Sequence, residues 1–404
     1  MLARRGDSPS IARRDPYIES VPPSHLYIHV PFCARRCSYC DFSIAVRART
    51  PVEEYVQSLR SELSHGAVQG STLDTVYLGG GTPSRLGGPG VADVLSSVRD
   101  YASIAPDAEI TIEANPDDVN DVAVAQWVAA GVNRVSLGSQ SFDDSVLEWM
   151  HRTHDSKQIA QAVKTLRRGG ISNLSLDLIF ALPDTLKRSW ERDLTLALDL
   201  EPAHVSLYGL TVEAHTPIAR WRDRGAVVEG TEDAYEEEFL LAHESMGNAG
   251  YEHYEVSNFS RPGKTSRHNS AYWTSARYAG VGPSAHSFDG SSRRWNVAAY
   301  SEWVRRLGAG ESSVAGEERL TPGNHDAEEV YLGLRTRNGL AIDETELETV
   351  ARWVDAGWAD LNESRLRLTP TGWLRLDSLA ADLVARRARS PHEVLGATPS
   401  HCYI

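Results

Sequence analysis

Three of the four cysteines lie close together, Cys33, Cys37 and Cys40 in YIHVPFCARRCSYCDF, while Cys402 stands alone near the C-terminus. Thiols at this spacing could do three kinds of chemistry. A closed zinc site needs four protein ligands in a tetrahedron, so His29 or His25 would have to complete it. A redox dithiol could use Cys37-Ser38-Tyr39-Cys40 and would leave Cys33 without a role. An iron–sulfur cluster takes a thiolate on each iron, so three cysteines on a [4Fe–4S] cluster leave one iron open to a small molecule. The Cys-x3-Cys-x2-Cys spacing, followed by an aromatic loop, favours the cluster.

Other polar residues stand where strands end. YLGGGTPS places Gly79, Gly80, Gly81 and Thr82 after a β-rich run, a backbone that can approach a ligand closely. Glu113 in TIEANP, Gln140 in SLGSQSF, Arg152 in MHRTH and Asp177 in SLDLIF follow on successive units. Each alone reads as a surface or cap residue. As a series at the carboxyl ends of strands they read as a ligand-binding rim.

The elements that must position them form a βα rhythm from Leu26 to about Tyr208. Six runs read as strands, starting at Leu26, Thr75, Glu109, Arg134, Asn173 and His204. Helices are expected after Thr50, read as the N-cap of a capping box, over Val119 to Ala130, and over Ser156 to Arg168. Six βα units fall short of eight, which predicts an incomplete TIM-like barrel, with its active site at the carboxyl ends of the strands. Beyond Thr211 an acidic helix from Glu232 to Met246 leads into YEHYEVSNFSRPGKTSRHNSAYW and the Gly-rich YAGVGPSAHSF. From Ala327 onward the pattern is helix, helix, hairpin, helix, a small α/β cap of winged-helix type. The expected divisions are a disordered tail over 1–24, the partial barrel over 25–215, a barrel extension over 216–320, the cap over 321–388 and a disordered tail over 389–404.

Composition narrows the partners. The chain has 404 residues, 41% of them hydrophobic, enough to bury a large core, and a formal charge of −14 that opposes binding to nucleic acid. No apolar run reaches the ~18 residues that would suggest a membrane span. The segment before Tyr27 has two arginine pairs and no apolar stretch, so it does not read as a leader. A cytoplasmic location is expected, where clustered thiols are metal ligands or catalytic groups more often than disulfides.

The chain resembles the radical S-adenosylmethionine (SAM) enzymes, whose defining motif is Cys-x3-Cys-x2-Cys. That resemblance implies a [4Fe–4S] cluster on Cys33, Cys37 and Cys40, with SAM chelating the free iron. It further implies reductive cleavage of SAM to a 5′-deoxyadenosyl radical by an electron donor to the cluster. Tyr27, Gly80, Gly81, Thr82, Glu113, Gln140, Arg152 and Asp177 occupy the family's SAM-contacting positions. Cys402 has no motif around it.

Within the family the sequence resembles the branch of oxygen-independent coproporphyrinogen III oxidase and a paralogous heme chaperone. YIHVPFC, GGGTPS, IEANP, RTH, YEVSNF and GPSAHSF carry this resemblance. The oxidase continues its loop with a further cysteine where this chain has Phe42, and carries a longer N-terminal arm than the 26 residues before Tyr27. HNSAYW, from His268 to Trp273, fits the chaperone's His-Asn-x-x-Tyr-Trp motif. The resemblance thus implies a heme chaperone that passes heme to an acceptor protein, with the oxidase as the alternative. His268, Tyr272 and Trp273 are the candidate heme residues, since histidine is a common axial ligand and aromatics pack on porphyrins. The other reading makes His268 and Tyr272 a hydrogen-bonded packing pair. The sequence departs from the family at Ala181 and Asp184, where glycines are usual, and at His215 in VEAHTP, where a glycine before Thr216 is common.

Overall fold

A computed structural model describes residues 21–388. Most of the tail expected over 1–24, the tail expected over 389–404, and Cys402 lie outside the described residues. The six expected strands are present: β1 (His25–Val30), β2 (Thr72–Gly80), β3 (Ser103–Ala114), β4 (Arg134–Gln140), β5 (Asn173–Phe180) and β6 (His204–Gly209). They lie side by side in chain order and all parallel. The crossovers carry α1 (Val52–Leu63), α2 (Gly87–Arg99), α3 (Asp121–Ala130), α4 (Asp144–Trp149), α5 (Ser156–Arg168) and α6 (Trp190–Asp199).

Alternation along these strands divides the residues by chemistry. Leu26, Ile28, Val76, Leu78, Ile110, Ile112, Val135, Leu137, Leu174, Leu176, Val205 and Leu207 join one buried apolar core with the helices. The residues between them are Tyr27, Tyr77, Thr111, Glu113, Arg134, Ser136, Ser175, Asp177, His204 and Ser206. Successive strand residues face opposite sides, so this second set lines the concave face. A sheet buried on both sides ordinarily reads apolar throughout. Here the inner face is polar and aromatic, which marks it as a lumen rather than a packed barrel core.

The extension reaches both edges of that sheet. After α7 (Pro217–Asp223) and α8 (Glu232–Asn248), the strands β7 (Glu252–Glu255) and β8 (Asn258–Ser260) add antiparallel beside β6. Past α9 (Arg267–Trp273), β9 (Tyr278–Val281) adds parallel to β1 at the opposite edge. Then β10 (His286–Phe288), β11 (Ser292–Asn296) and β12 (Val314–Arg319) continue antiparallel, giving an open twelve-stranded sheet. Buried Glu62 of α1 fastens this edge: it accepts from Gly282 N (2.8 Å), Asn296 Nδ2 (2.5 Å), Trp303 Nε1 (2.9 Å) and Ser313 Oγ (2.8 Å).

The C-terminal unit has helices Pro322–Arg335, Leu347–Asp355 and Leu376–Arg387 around a three-stranded antiparallel sheet. It is the expected cap, with the short strand Leu340–Ala341 added to its hairpin. The capping box at Thr50 does not form. Val52 N bonds Thr50 O instead, α1 starts at Val52 with Pro51 as its N-cap, and no side chain caps it. A true capping box forms at Asp155 with Gln158, at the start of α5. Two of the three departures from family glycines have an observable cost: Ala181 sits at φ 56° and His215 at φ 68°, a left-handed region unfavourable for residues with a Cβ, whereas Asp184 opens a 3-10 turn without a positive φ.

Candidate functional site

The cysteine loop leaves β1 at its carboxyl end and is tied down along its length. Ala45 N bonds Pro31 O (2.7 Å) and Arg47 N bonds Cys33 O (3.0 Å), closing the loop at its neck. Ser38 at its tip donates to Met150 O (3.1 Å) and accepts from Ile218 N (2.9 Å). Below the neck, buried Phe32 packs edge-on against Tyr55 and Tyr300, at 5.5 and 5.0 Å between centroids. All three thiols are free.

Two contacts join the thiols to the neighbouring strand ends. Cys33 Sγ lies 3.4 Å from Thr82 Oγ1. Arg152 points Nη1 at Cys37 Sγ (3.5 Å) and donates through Nη2 to Asn115 Oδ1 (2.6 Å) and Gly138 O (2.8 Å). One guanidinium therefore links the loop to the ends of β3 and β4. Its Nε is buried without a partner among the described residues.

The glycines after β2 are required by close approach. A Cβ at Gly80, which also has φ 111°, would lie 2.6 Å from the His29 ring, and one at Gly81 would lie 2.7 Å from the Pro31 carbonyl carbon. Gly80 N donates to Glu113 Oε2 (3.0 Å) and Tyr77 Oη to Glu113 Oε1 (2.8 Å). Burial pushes the Glu113 carboxyl up to about 7; the Tyr77 hydrogen bond opposes this and the nearby Asp177 charge adds to it. Asp177 is likewise raised by burial, against hydrogen bonds from Ser206, Ser136 and Ser175. Gln140 is buried at φ 65°, where the ladder between β4 and β5 is irregular. Tyr27 stacks on Tyr77 and bonds His29 Nδ1 through its hydroxyl (3.1 Å).

The alternatives for the thiols can be judged on this geometry. Both His29 nitrogens are engaged, Nδ1 by Tyr27 and Nε2 by Ser43 O (3.0 Å), and His25 bonds Thr75 at the amino end of β2. Neither completes a zinc site. Among the described residues no three His, Cys, Asp or Glu side chains converge on one ion. A cluster, whose thiolates each take a different iron, needs no such convergence. Burial raises the Cys33 thiol, and pushes Cys40 up to about 12, so these thiols hold their protons until a metal displaces them.

Cys33 and Cys37 thus lie at one rim with Thr82 and Arg152, beside the Gly80–Glu113 pair, while Asp177 sits on the lumen wall bonded to Ser136 and Ser175. The rim also uses Asn115, Tyr77 and Ser136, which the sequence reading missed. Tyr77 stands within a strand already identified and Asn115 directly follows one, but no spacing distinguishes them. The HNSAYW residues lie just beneath the rim, where the His268 ring stacks on Tyr77 at 5.0 Å and faces Tyr27 at 6.5 Å. His268, 1% exposed, bonds Thr75 Oγ1 through Nδ1 (2.7 Å) and Tyr272 Oη through Nε2 (2.9 Å), and its backbone N donates to Glu109 Oε1 (3.0 Å). Thr75 and Glu109 are register partners on β2 and β3, below the level of the glycine turn, and Tyr272 belongs to α9 itself. Thr75 and Gly80 are five residues apart on β2, roughly 16 Å at about 3.3 Å per residue. Neither His268 nitrogen is open to a metal in this conformation, so the geometry supports the packing-pair reading. Tyr272 meets Tyr278 edge-on at 4.7 Å, and the Arg335 guanidinium covers Trp273 at 4.2 Å.

The Radical SAM superfamily pattern matches residues 27–197. Heme chaperone HemW of Synechocystis is 36% identical over 86% of this chain and 89% of its own length. HemW of Mycobacterium tuberculosis is also 36% identical, over 90% of this chain and 95% of its own. The chain belongs to the HemW family of radical SAM proteins. Coproporphyrinogen III oxidase (HemN) of Escherichia coli superimposes with a TM-score of 0.77 over 90% of each chain, at 20% identity, a likeness of fold. Membership of the HemW family implies a [4Fe–4S] cluster and SAM. The residues present fit both: three free thiols, an arginine beside one of them, and a glycine cradle no side chain could enter. When bound, the cluster supplies an electron to SAM; the chain's own part is to hold, orient and shield. No helix among the described residues is long and apolar enough to cross a membrane.

Proposed function

We propose that this chain binds heme and delivers it to an acceptor protein, with a cluster on Cys33, Cys37 and Cys40 and exchangeable SAM controlling the transfer. The observation that carries the reading is the 36% identity to HemW chaperones along nearly the whole chain. Phe42 supports it. Where the oxidase resemblance calls for another cysteine, this residue is 57% exposed on the cluster loop. Tyr27, Gly80, Gly81, Thr82, Glu113, Gln140, Arg152 and Asp177 would hold SAM, with Glu113 beside the glycine cradle as acceptor for a cationic group. An electron donor to the cluster and a cytoplasmic location belong to the same proposal.

The oxidase is the competing reading, since the fold is shared with HemN. Reduced, SAM-loaded protein supplied anaerobically with coproporphyrinogen III, and in a separate assay with heme, decides between them. Stoichiometric heme binding without porphyrinogen turnover is expected. Accumulation of protoporphyrinogen IX would establish the oxidase instead.

A further inference from the structure

We propose that the outer surface of the cysteine loop is the docking site of an acidic one-electron carrier protein. The inference rests on the cluster and the electron donor of the reading above, and names the surface and the chemistry of that donor.

The loop is basic on an acidic protein. From Cys33 to Arg49 it carries Arg35, Arg36, Arg47 and Arg49 against Asp41 alone, while the whole chain has a formal charge of −14. Phe32–Cys33 pairs parallel with Ala45–Val46, and Arg47 N bonds Cys33 O (3.0 Å), which sets the second pair of arginines beside the first. All four are exposed. Half-buried Arg85 joins them from the turn after β2, donating through Nη2 to Arg47 O (3.1 Å) and Ala48 O (3.4 Å). Among the described residues none of these five guanidinium groups is in an ion pair; Arg36 and Arg47 donate to carbonyls of the loop, Cys40 O (3.2 Å) and Val46 O (3.0 Å). Exposed arginines elsewhere do pair, Arg168 with Asp121, Arg222 with Glu229 and Arg305 with Glu302 and Glu311. Asp117 and Asp118 share a hollow with Arg49 and Arg85, and Ser84 holds Asp118 there (2.6 Å). Within the loop, Arg35, Arg36 and Arg47 are opposed by Asp41.

Two apolar side chains stand among these charges. Phe42 and Val46, 57% and 43% exposed, belong to the same loop. Arginine and aromatic residues are favoured at interfaces, and a few apolar groups ringed by charge suit the small, short-lived contact of an electron-transfer encounter. Opposite charge on the partner speeds such an encounter. The thiols say what the contact is for. Cys33 is buried and Cys37 and Cys40 are half-buried in this loop, while the glycine cradle and Glu113 face the lumen, so a partner in solvent comes nearest the cluster at the loop. One electron leaves the reduced centre of the carrier and reduces the cluster by one; no bond forms or breaks.

The test uses full-length, cluster-reconstituted protein with a plant-type [2Fe–2S] ferredoxin as the acidic carrier. Two quantities are measured anaerobically: calorimetric binding of the oxidised ferredoxin, and the rate at which reduced ferredoxin bleaches the cluster absorbance, beside dithionite as a small reductant. The parent is expected to bind, and less tightly as salt rises. Arg35→Glu combined with Arg47→Glu should lower both affinity and rate by roughly tenfold or more at low salt. Arg352→Glu, at an exposed arginine of the C-terminal unit, should change neither. Dithionite should reduce all three proteins alike. Parental affinity and rate in the double variant overturn the inference, as does a parent that binds no ferredoxin. Salt-sensitive self-association of the parent, lost in the double variant while ferredoxin binding is kept, gives the surface to a second copy of the chain and also overturns it. If dithionite reduces nothing in the parent, the cluster reading fails, and the binding measurement still decides the surface.

Discussion

The two ends of the barrel are built from similar residues to opposite effect. At the base, Thr75, Glu109, His268 and Tyr272 use their polar atoms on one another, and α9 closes the amino end of the lumen. At the mouth, thiols stand free, Arg152 keeps a buried Nε without a partner, and the backbone is strained at Gln140, His151, Ala181 and His215. Satisfied polar networks rigidify a fold; incomplete ones are tolerated where a ligand completes them. The contrast is one of degree, since Arg134 and Thr111 on the lumen wall also keep buried polar atoms without a partner among the described residues.

The largest effect should come from the mouth. Replacing Cys33, Cys37 and Cys40 together by Ala is expected to abolish iron, acid-labile sulfide and brown absorbance completely in anaerobically reconstituted protein. Stoichiometric zinc and no sulfide in the parent would reverse the assignment of the thiols.

The base should answer in stability instead. His268→Ala leaves a cavity and two buried hydroxyls short of a partner, so a loss of about 3–5 kcal/mol is expected in denaturant unfolding. Cluster content should be unchanged. Burial holds His268 down at about 3, below its ordinary 6.5, so its contribution is present above pH 6.5 and fades as the pH falls towards 3. The gap between parent and variant should therefore narrow in acid. A gap independent of pH would mean the ring is not buried as described.

Glu113 lies between these extremes. Glu113→Gln should weaken SAM binding by roughly tenfold or more, read as the SAM-induced change in the reduced cluster's spectrum. In the ligand-free chain the sign is opposite to that of His268. A carboxyl raised from 4.5 to about 7 favours the protonated fold, so its contribution is lost as pH rises through that window. At about 1.4 kcal/mol per pH unit, this amounts to on the order of 3–4 kcal/mol. The Gln variant should lack this slope; an equal slope in both proteins would show Glu113 to be solvated. The smallest effect is expected at Cys402, where Ser should leave iron content as it is.

Much of the frame was legible because alternation is strong in the six strands: aliphatic residues face the helices, and what remained, Glu113 and Asp177 among them, had to face the lumen. The cysteine spacing was legible for the same reason, since it is local. What escaped depends on distant contacts. YAGV, from Tyr278, reads as a glycine-rich loop, yet it is a parallel strand beside β1; Gly280 is needed because a Cβ there would lie 1.9 Å from His286 O. Nothing in the sequence sets Glu62 apart from the other acids of α1, and only the packing of the extension shows it buried with four donors. Arg134, 1% exposed inside the lumen, opens a strand in a way any solvent-facing arginine could. HNSAYW is conspicuous by residue type, but the type does not tell that His268 is already bonded to Thr75 and Tyr272, which only the tertiary packing shows.

α9 also sets a depth. His268 stacks on Tyr77 and is bonded to Thr75 and Tyr272, so a ligand that comes in at the mouth meets packed aromatic rings whose polar atoms are already engaged. How far such a ligand can sink is then fixed by the fold rather than by its own size.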